Sequence, residues 1–284
     1  MAYQTNIQWM HGGRILAECG PMRLTISAWV GRVPQKDLCI QAAKESFHLL
    51  ETIAGHRQDL SRRYESIPQD LKDFPVRKMV RSALAVDLDL TPMAAVAGTI
   101  ADCVLVFLVK RGMTKAIVNN GGDVALRTGT EVNVHVGLRP EATRTGLTST
   151  MTLGDERPVW GVATSGLEGR SLSRGVASAA TVIAGSASIA DAAATAIANA
   201  SYVQDTSVVQ RPAGELDAQS DIPDTLVTVQ AGPLSEATKD QALAQAMAKA
   251  ESLIHRGLIF GACVVVDGKA AMTDFVRQRL VEKQ

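Results

Sequence analysis

Residues 186–200 read SASIADAAATAIANA, a run dominated by alanine with one acid, Asp191, near its middle. Alanine has the highest intrinsic helix propensity, so the stretch predicts a helix, slim enough for another backbone to approach it closely. Asp191 and Thr195 are four residues apart and share one face of that helix. A carboxylate on a small, apolar, burying helix must be satisfied, because an unpaired buried charge is expensive. Two explanations stand side by side. Asp191 is an acid favoured near a helix N-terminus, with Thr195 bonded back to its own helix. Alternatively the carboxylate, the hydroxyl and a nearby main-chain carbonyl form the hard oxygen set that magnesium takes, together with waters and substrate phosphates.

An upstream stretch echoes this one. Thr99-Ile100-Ala101-Asp102 parallels Ser188-Ile189-Ala190-Asp191, and both lie on apolar, small-residue segments. Two related halves, about 1–130 and 131–284, facing one site would account for the match. The upstream copy belongs to PMAAVAGTIADCVLVFLVKRG (92–112), which approaches membrane-spanning length. A lone span with Asp102 at its centre would be costly, so a buried helix of a soluble protein is expected, with no membrane partner. Pro92 suits its first turn and Gly112 its end.

Strand and helix signals surround this pair. GGRILAEC and MRLTISAWVG alternate apolar and polar residues about Gly20-Pro21, which predicts a hairpin. Leu38, Ala42, Phe47, Leu50 and Ile53 recur at helical spacing between Pro34 and about Arg63. SIPQDLKDFPV (66–76) then predicts a polar connection. KAIVNNGGDVALRT (115–128) predicts two short strands about a turn, and EVNVHVGLRP (131–140) a half-buried strand with Val132, Val134 and Val136 on one side. RPVWGVAT and AATVIAG predict two more strands, while VQRPAGELDAQSDIPDT (209–225) is the most loop-like stretch. A strand at LVTVQAG, an amphipathic helix from about Glu236 to His255 and a hairpin turning at Asp267-Gly268 complete the chain.

At 284 residues with 46% apolar and 20% charged residues, the chain is globular and able to bury a sizeable core. Lysine plus arginine equals aspartate plus glutamate, 29 each, which gives no electrostatic reason for a nucleic-acid partner. The cysteines, at 19, 39, 103 and 263, form no CxxC pair and read as buried free thiols of a reducing compartment. The start MAYQTNIQWMHGG has no basic segment followed by an apolar run, so a cytoplasmic location is expected. Among the five histidines no HExxH or Cys/His cluster occurs, which leaves zinc hydrolysis without support.

Two further stretches carry candidate chemistry. Asn119-Asn120-Gly121-Gly122-Asp123 suits a tight turn, since asparagine and glycine tolerate positive φ. It also suits a ligand wall, with Gly121 and Gly122 admitting the ligand and Asp123 accepting its hydrogen bonds. Ala163-Thr164-Ser165-Gly166, followed by a loop with Arg170 and Arg174, offers amides, hydroxyls and guanidiniums to phosphate, although a plain solvated loop explains it equally. It lacks the Walker spacing.

Taken in order, AVAGTIAD (95–102), NNGGD (119–123), ATSG (163–166) and ADAAAT (190–195) resemble the motifs of the ApbE superfamily, the flavin transferases that split FAD and attach FMN to proteins. The wording is most similar to a shorter, cytoplasmic ApbE-like branch. The resemblance implies an α+β fold: one compact, T-fold-related domain of two similar halves, with antiparallel sheets packed against helices. It implies that Asp191, Thr195 and the main-chain carbonyl near Val96 bind magnesium. It further implies that Asn120, Gly121, Gly122, Asp123, Thr164, Ser165, Gly166, Arg170 and Arg174 face FAD, FMN or a similar phosphorylated small molecule, with Asp191 and Asp123 in the catalytic positions. Two departures stand out. Ala97 occupies the place of the transferases' lysine, and SRGVASAATV (173–182) replaces their His-x-x-Asp-Pro stretch. Those departures favour a second reading, a non-catalytic accessory protein acting through a protein partner, for example in sulfide assimilation into amino acids. A homo-oligomer stays open.

Overall fold

The protein is described by a computed structural model covering residues 3–68, 70–129, 133–138, 149–169 and 171–282. The N-terminal strands β1 (Thr5–Met10), β2 (Arg14–Cys19) and β3 (Met22–Val30) form an antiparallel meander, and β4 (Val33–Pro34) folds back on β3. The Gly20-Pro21 hairpin joins β2 to β3 as expected, with Cys19 opposite Met22. Helix α1 (Lys36–Gly55) and the short α2 (Arg57–Leu60) follow, then α3 (Phe74–Val86) and α4 (Val96–Lys110). Strands β5 (Lys115–Asn120), β6 (Asp123–Arg127), β7 (Val134–Leu138), β8 (Ser149–Leu153), β9 (Val159–Ser165) and β10 (Ala179–Ala184) lead to α5 (Ala187–Ala200). The chain ends with β11 (Val208–Pro212), α6 (Ala213–Leu216), β12 (Leu226–Ala231), α7 (Glu236–His255), β13 (Ile259–Val266), β14 (Lys269–Met272), α8 (Asp274–Arg277) and β15 (Leu280–Glu282).

One antiparallel sheet runs in the order β1-β2-β3-β5-β6-β9-β10-β13-β14. Its residues alternate between two cores, as strand geometry demands. Ala163, Val182, Ala184 and Val264 face α5 and α7, whereas Trp160, Val162 and Ile183 face the small sheet β15-β8-β7 and α8. A third cluster joins β2, β3 and β5 to α1, α3 and α4. This is the expected α+β domain of helices and antiparallel sheets. All four cysteines are unpaired and buried, and burial raises the Cys39 and Cys263 thiols to about 11 and Cys103 to about 12.

Two expectations need correction. SIPQDLKDFPV is a connection only as far as Asp73, because α3 begins at Phe74 with Pro75 in its first turn. Its apolar face is Val76, Met79, Ala83 and Val86. VQRPAGELDAQSDIPDT is not all loop: Val208–Pro212 pairs with β12 across a bulge at Val209/Gln210, a strand too short and polar to stand out in sequence. Strands β1 and β8 were also not legible as such. Val132, expected to align with Val134 and Val136, lies outside the described residues.

The segment Pro92–Lys110 is long and apolar enough to cross a membrane, yet most of it is buried in this fold as a core helix. Its packing explains the sequence echo. Asp102 of α4 accepts the amides of Ala187 (2.8 Å) and Ser188 (3.0 Å) at the start of α5. Asp191 of α5 accepts the Gly98 amide (2.9 Å) at the start of α4. Ala187 and Gly98 each lie four residues ahead of the acid on their own helix, so each helix caps the other in the same register. The approach is close enough to require glycine: a Cβ on Gly98 would lie 2.2 Å from the Ala187 carbonyl oxygen.

Candidate functional site

The two halves of this reciprocal capping differ in what else they meet. Asp102 is 5% exposed and pairs with Lys78 of α3 at 3.0 Å, so its charge is matched. Asp191 instead borders a cleft of about 350 Å³, beside Thr195, Asp123 and the first residues of α4, Val96 and Ala97. Among the described residues no lysine or arginine pairs with Asp191 or Asp123.

That imbalance sets the electrostatics. Burial pushes the Asp191 carboxyl well above the usual carboxylate range, the charge of Asp123 adds to it, and the Gly98 and Ala97 amides oppose it. Burial raises Asp123 to about 7 against the lowering effect of the Thr164 amide. Two carboxyls that resist ionising together take up a proton or a cation. Two carboxylates with the Thr195 hydroxyl and a main-chain carbonyl are hard oxygen donors, suited to magnesium rather than zinc. No group of three or more His, Cys, Asp or Glu side chains that could hold a metal ion occurs among the described residues.

Of the residues read from sequence, Val96, Asp123, Arg174, Asp191 and Thr195 meet at this cleft. Asn120 stands behind it, its amide donating to the Ala97 carbonyl at 3.2 Å and so steadying the start of α4. Gly121 and Gly122 do not line the cleft. They form the β5–β6 turn, at φ of 67° and 123°, and border a separate shallow groove with Met10, Arg23 and Thr25. Thr164, Ser165 and Gly166 are not among the described lining residues either. The Thr164 amide reaches Asp123, while its hydroxyl pairs with Thr181 at 2.9 Å. Ser165 is buried, and Gly166 takes a φ of 139° against the carbonyl of Ser178. Arg170 lies outside the described residues.

Sequence reasoning missed several lining groups. Asn199 continues the stripe of Asp191 and Thr195 one turn further, and its Oδ1 accepts the Arg174 amide at 2.9 Å. Arg57 opens the short α2, while Arg63 and Asp89 come from the connections on either side of α3, where no periodic signal marks them. The opposite wall is the segment 217–225. Arg57 donates to the Gln219 side chain at 3.0 Å and to the Gln219 carbonyl, and Thr91 donates to Asp221. The neck of this loop is closed by Ala213 donating to Thr225 and Gly214 to Pro223, each at 2.9 Å.

A family model described as AbpE bacteria matches residues 7–272. The chain belongs to that family. Among curated proteins, a UPF0280 protein of Methanosphaerula palustris is 40% identical over 104 residues, 36% of this chain and 42% of the relative. A UPF0280 protein of Methanococcoides burtonii is 34% identical over 164 residues, covering 54% of this chain and 65% of the relative. The chain thus spans less than half the length of the first curated relatives it matches. Among solved structures, the ApbE protein of Thermotoga maritima aligns over 99% of this chain and 100% of its own, with a TM-score of 0.52 and 12% identity. At that identity the likeness is one of fold.

Proposed function

We propose that the cleft binds a phosphorylated small molecule, with FAD or FMN the leading candidates, together with magnesium. The observation that carries this is the carboxylate pair Asp123 and Asp191, which meets no lysine or arginine partner among the described residues and borders a cleft that also holds Thr195 and Val96. Asp191, Thr195 and the Val96 carbonyl would hold the metal, with Asp123 beside it. Bound there, magnesium would neutralise phosphate charge and stabilise charge developing during pyrophosphate cleavage. The chain's own residues do the rest. The Gly98 amide fixes the Asp191 carboxylate, the Thr164 amide fixes Asp123, and Arg174 offers a guanidinium to phosphate. Gly121, Gly122, Ser165 and Gly166 support the site as turn and packing residues rather than as contacts. We read the matched capping as the trace of two related halves. Buried free thiols fit a cytoplasmic location.

A second reading is favoured by Ala97, which lines the cleft where the flavin transferases carry lysine. It has the fold serving as a binding or accessory protein without FMN transfer. Titration calorimetry with FAD and FMN, with and without magnesium, tests the proposal. Magnesium-dependent binding of either flavin is expected, and no heat from any combination would overturn it. Slow FAD hydrolysis or FMN transfer by the bound complex would separate enzyme from binding protein.

A further inference from the structure

At the exposed rim of the same cleft, three connections bring their charges to one point. Nη1 of Arg63, from the segment before α3, lies 3.0 Å from Oδ1 of Asp89. Nη1 of Arg174, from the β9–β10 loop, lies 2.6 Å from Oδ2 of the same carboxylate. One acid therefore bridges two guanidiniums and leaves the trio with a net positive charge.

The trio is built to hold its place. The Arg174 amide donates to Asn199, and its carbonyl accepts from Gln210 (2.9 Å) and Thr228 (3.1 Å). The Asp89 amide donates to Asp87 at 3.0 Å, and Asp87 is itself paired with Lys249. The side chains nonetheless stay open to solvent, Arg63 at 60%, Arg174 at 41% and Asp89 at 49%. Ion pairs that exposed contribute little to stability. A guanidinium carries five donors in a rigid fork that matches phosphate oxygens, and one contact to Asp89 leaves most of each fork for a ligand.

We propose that Arg63 and Arg174 form an anion subsite for a phosphate group of the ligand, with Asp89 as the internal carboxylate that holds the two forks ready and competes with the incoming anion. This rests on the cleft being a site for phosphorylated ligands, and it adds a rim contact distinct from the Asp123 and Asp191 end. It also fixes the sign of a substitution that a merely structural ion-pair network would reverse. Asp89→Asn keeps the shape, removes the competing charge and tightens anion binding.

The test is calorimetric titration of the full chain with FMN, riboflavin and inorganic pyrophosphate. Arg63→Ala and Arg174→Ala are expected each to weaken FMN and pyrophosphate about tenfold, the loss of one charge-assisted contact, with riboflavin unmoved. Asp89→Asn is expected to tighten both anions several-fold. The proposal is overturned if the two folded arginine variants bind both anions like the parent, or if Asp89→Asn weakens binding as they do. Should neither flavin bind at all, the flavin reading fails while pyrophosphate still decides the subsite. Pyrophosphate binding that disappears in both arginine variants sustains it, and a parent protein that binds no pyrophosphate overturns it.

Discussion

Asp102 and Asp191 occupy matching places on matching helices, so the same substitution at each isolates what differs between them. Asp102 accepts two amides and faces Lys78, all within 3.0 Å and nearly out of water. Asparagine there keeps one acceptor, turns an amino group towards the second amide and leaves Lys78 unmatched. Breaking a buried ion pair by removing one partner costs about 3–5 kcal/mol, and Lys78 can recover some hydration, so about 3 kcal/mol of lost stability is expected. Asp191→Asn keeps an oxygen for the Gly98 amide and removes a charge that burial and Asp123 both oppose. Its expected effect without metal is within about 1 kcal/mol and stabilising in sign above neutral pH. Denaturant unfolding at pH 8 with chelator present measures both. If Asp191→Asn costs as much as Asp102→Asn, the cleft acid is a structural cap and the contrast drawn between the two is wrong.

Other consequences follow from the same geometry. The folded protein holds Asp123 at about 7, above the ordinary carboxylate value near 4, so the native state binds more protons than the unfolded chain between those limits. Metal-free stability should therefore fall as pH rises from about 4 through 7, by at most about 4 kcal/mol before cleft solvation is discounted. Asp123→Asn should flatten that slope, and a slope unchanged by the substitution contradicts the assignment. Gly98→Ala should force α4 and α5 apart and cost about 1–3 kcal/mol or more, read as a lowered Tm. Arg57→Ala removes the clasp on Gln219 from a loop whose residues 214–226 bury no side chain. Hydrogen exchange at 217–222 should quicken while Tm shifts little; unchanged exchange would show that the clasp does not hold the loop.

The parts of the fold that sequence revealed are those with strong periodicity or strict turn chemistry. The α4 and α5 helices, the Gly20-Pro21 hairpin and the Asp267-Gly268 turn, where Asp267 takes a φ of 44°, fall in that class. Helix α3 was hidden by reading Phe74-Pro75 as the end of a loop when that proline opens a helix. The Asp191 and Thr195 pair was legible because both sit on one helix face. Asn199 was equally available on that face and needed only the next turn to be counted. Arg57, Arg63 and Asp89 were not legible: Arg57 is a polar residue opening the short α2, and Arg63 and Asp89 reach the cleft from connections, where positions carry no period. The glycine turn misled in a different way. Its residues matched a motif, but only Asp123 points to the cleft, while Gly121 and Gly122 turn the chain on the side of the second groove.

The magnesium assignment meets its most direct test in crystals soaked with manganese, whose anomalous scattering marks the ion without reference to any ligand. A peak within coordination distance of the Asp191 carboxylate, with Thr195 Oγ1 and the Val96 carbonyl as further neighbours and absent from Asp191→Asn crystals, is the expected result. A fully occupied peak elsewhere, or none at concentrations that saturate ordinary magnesium sites, would contradict it.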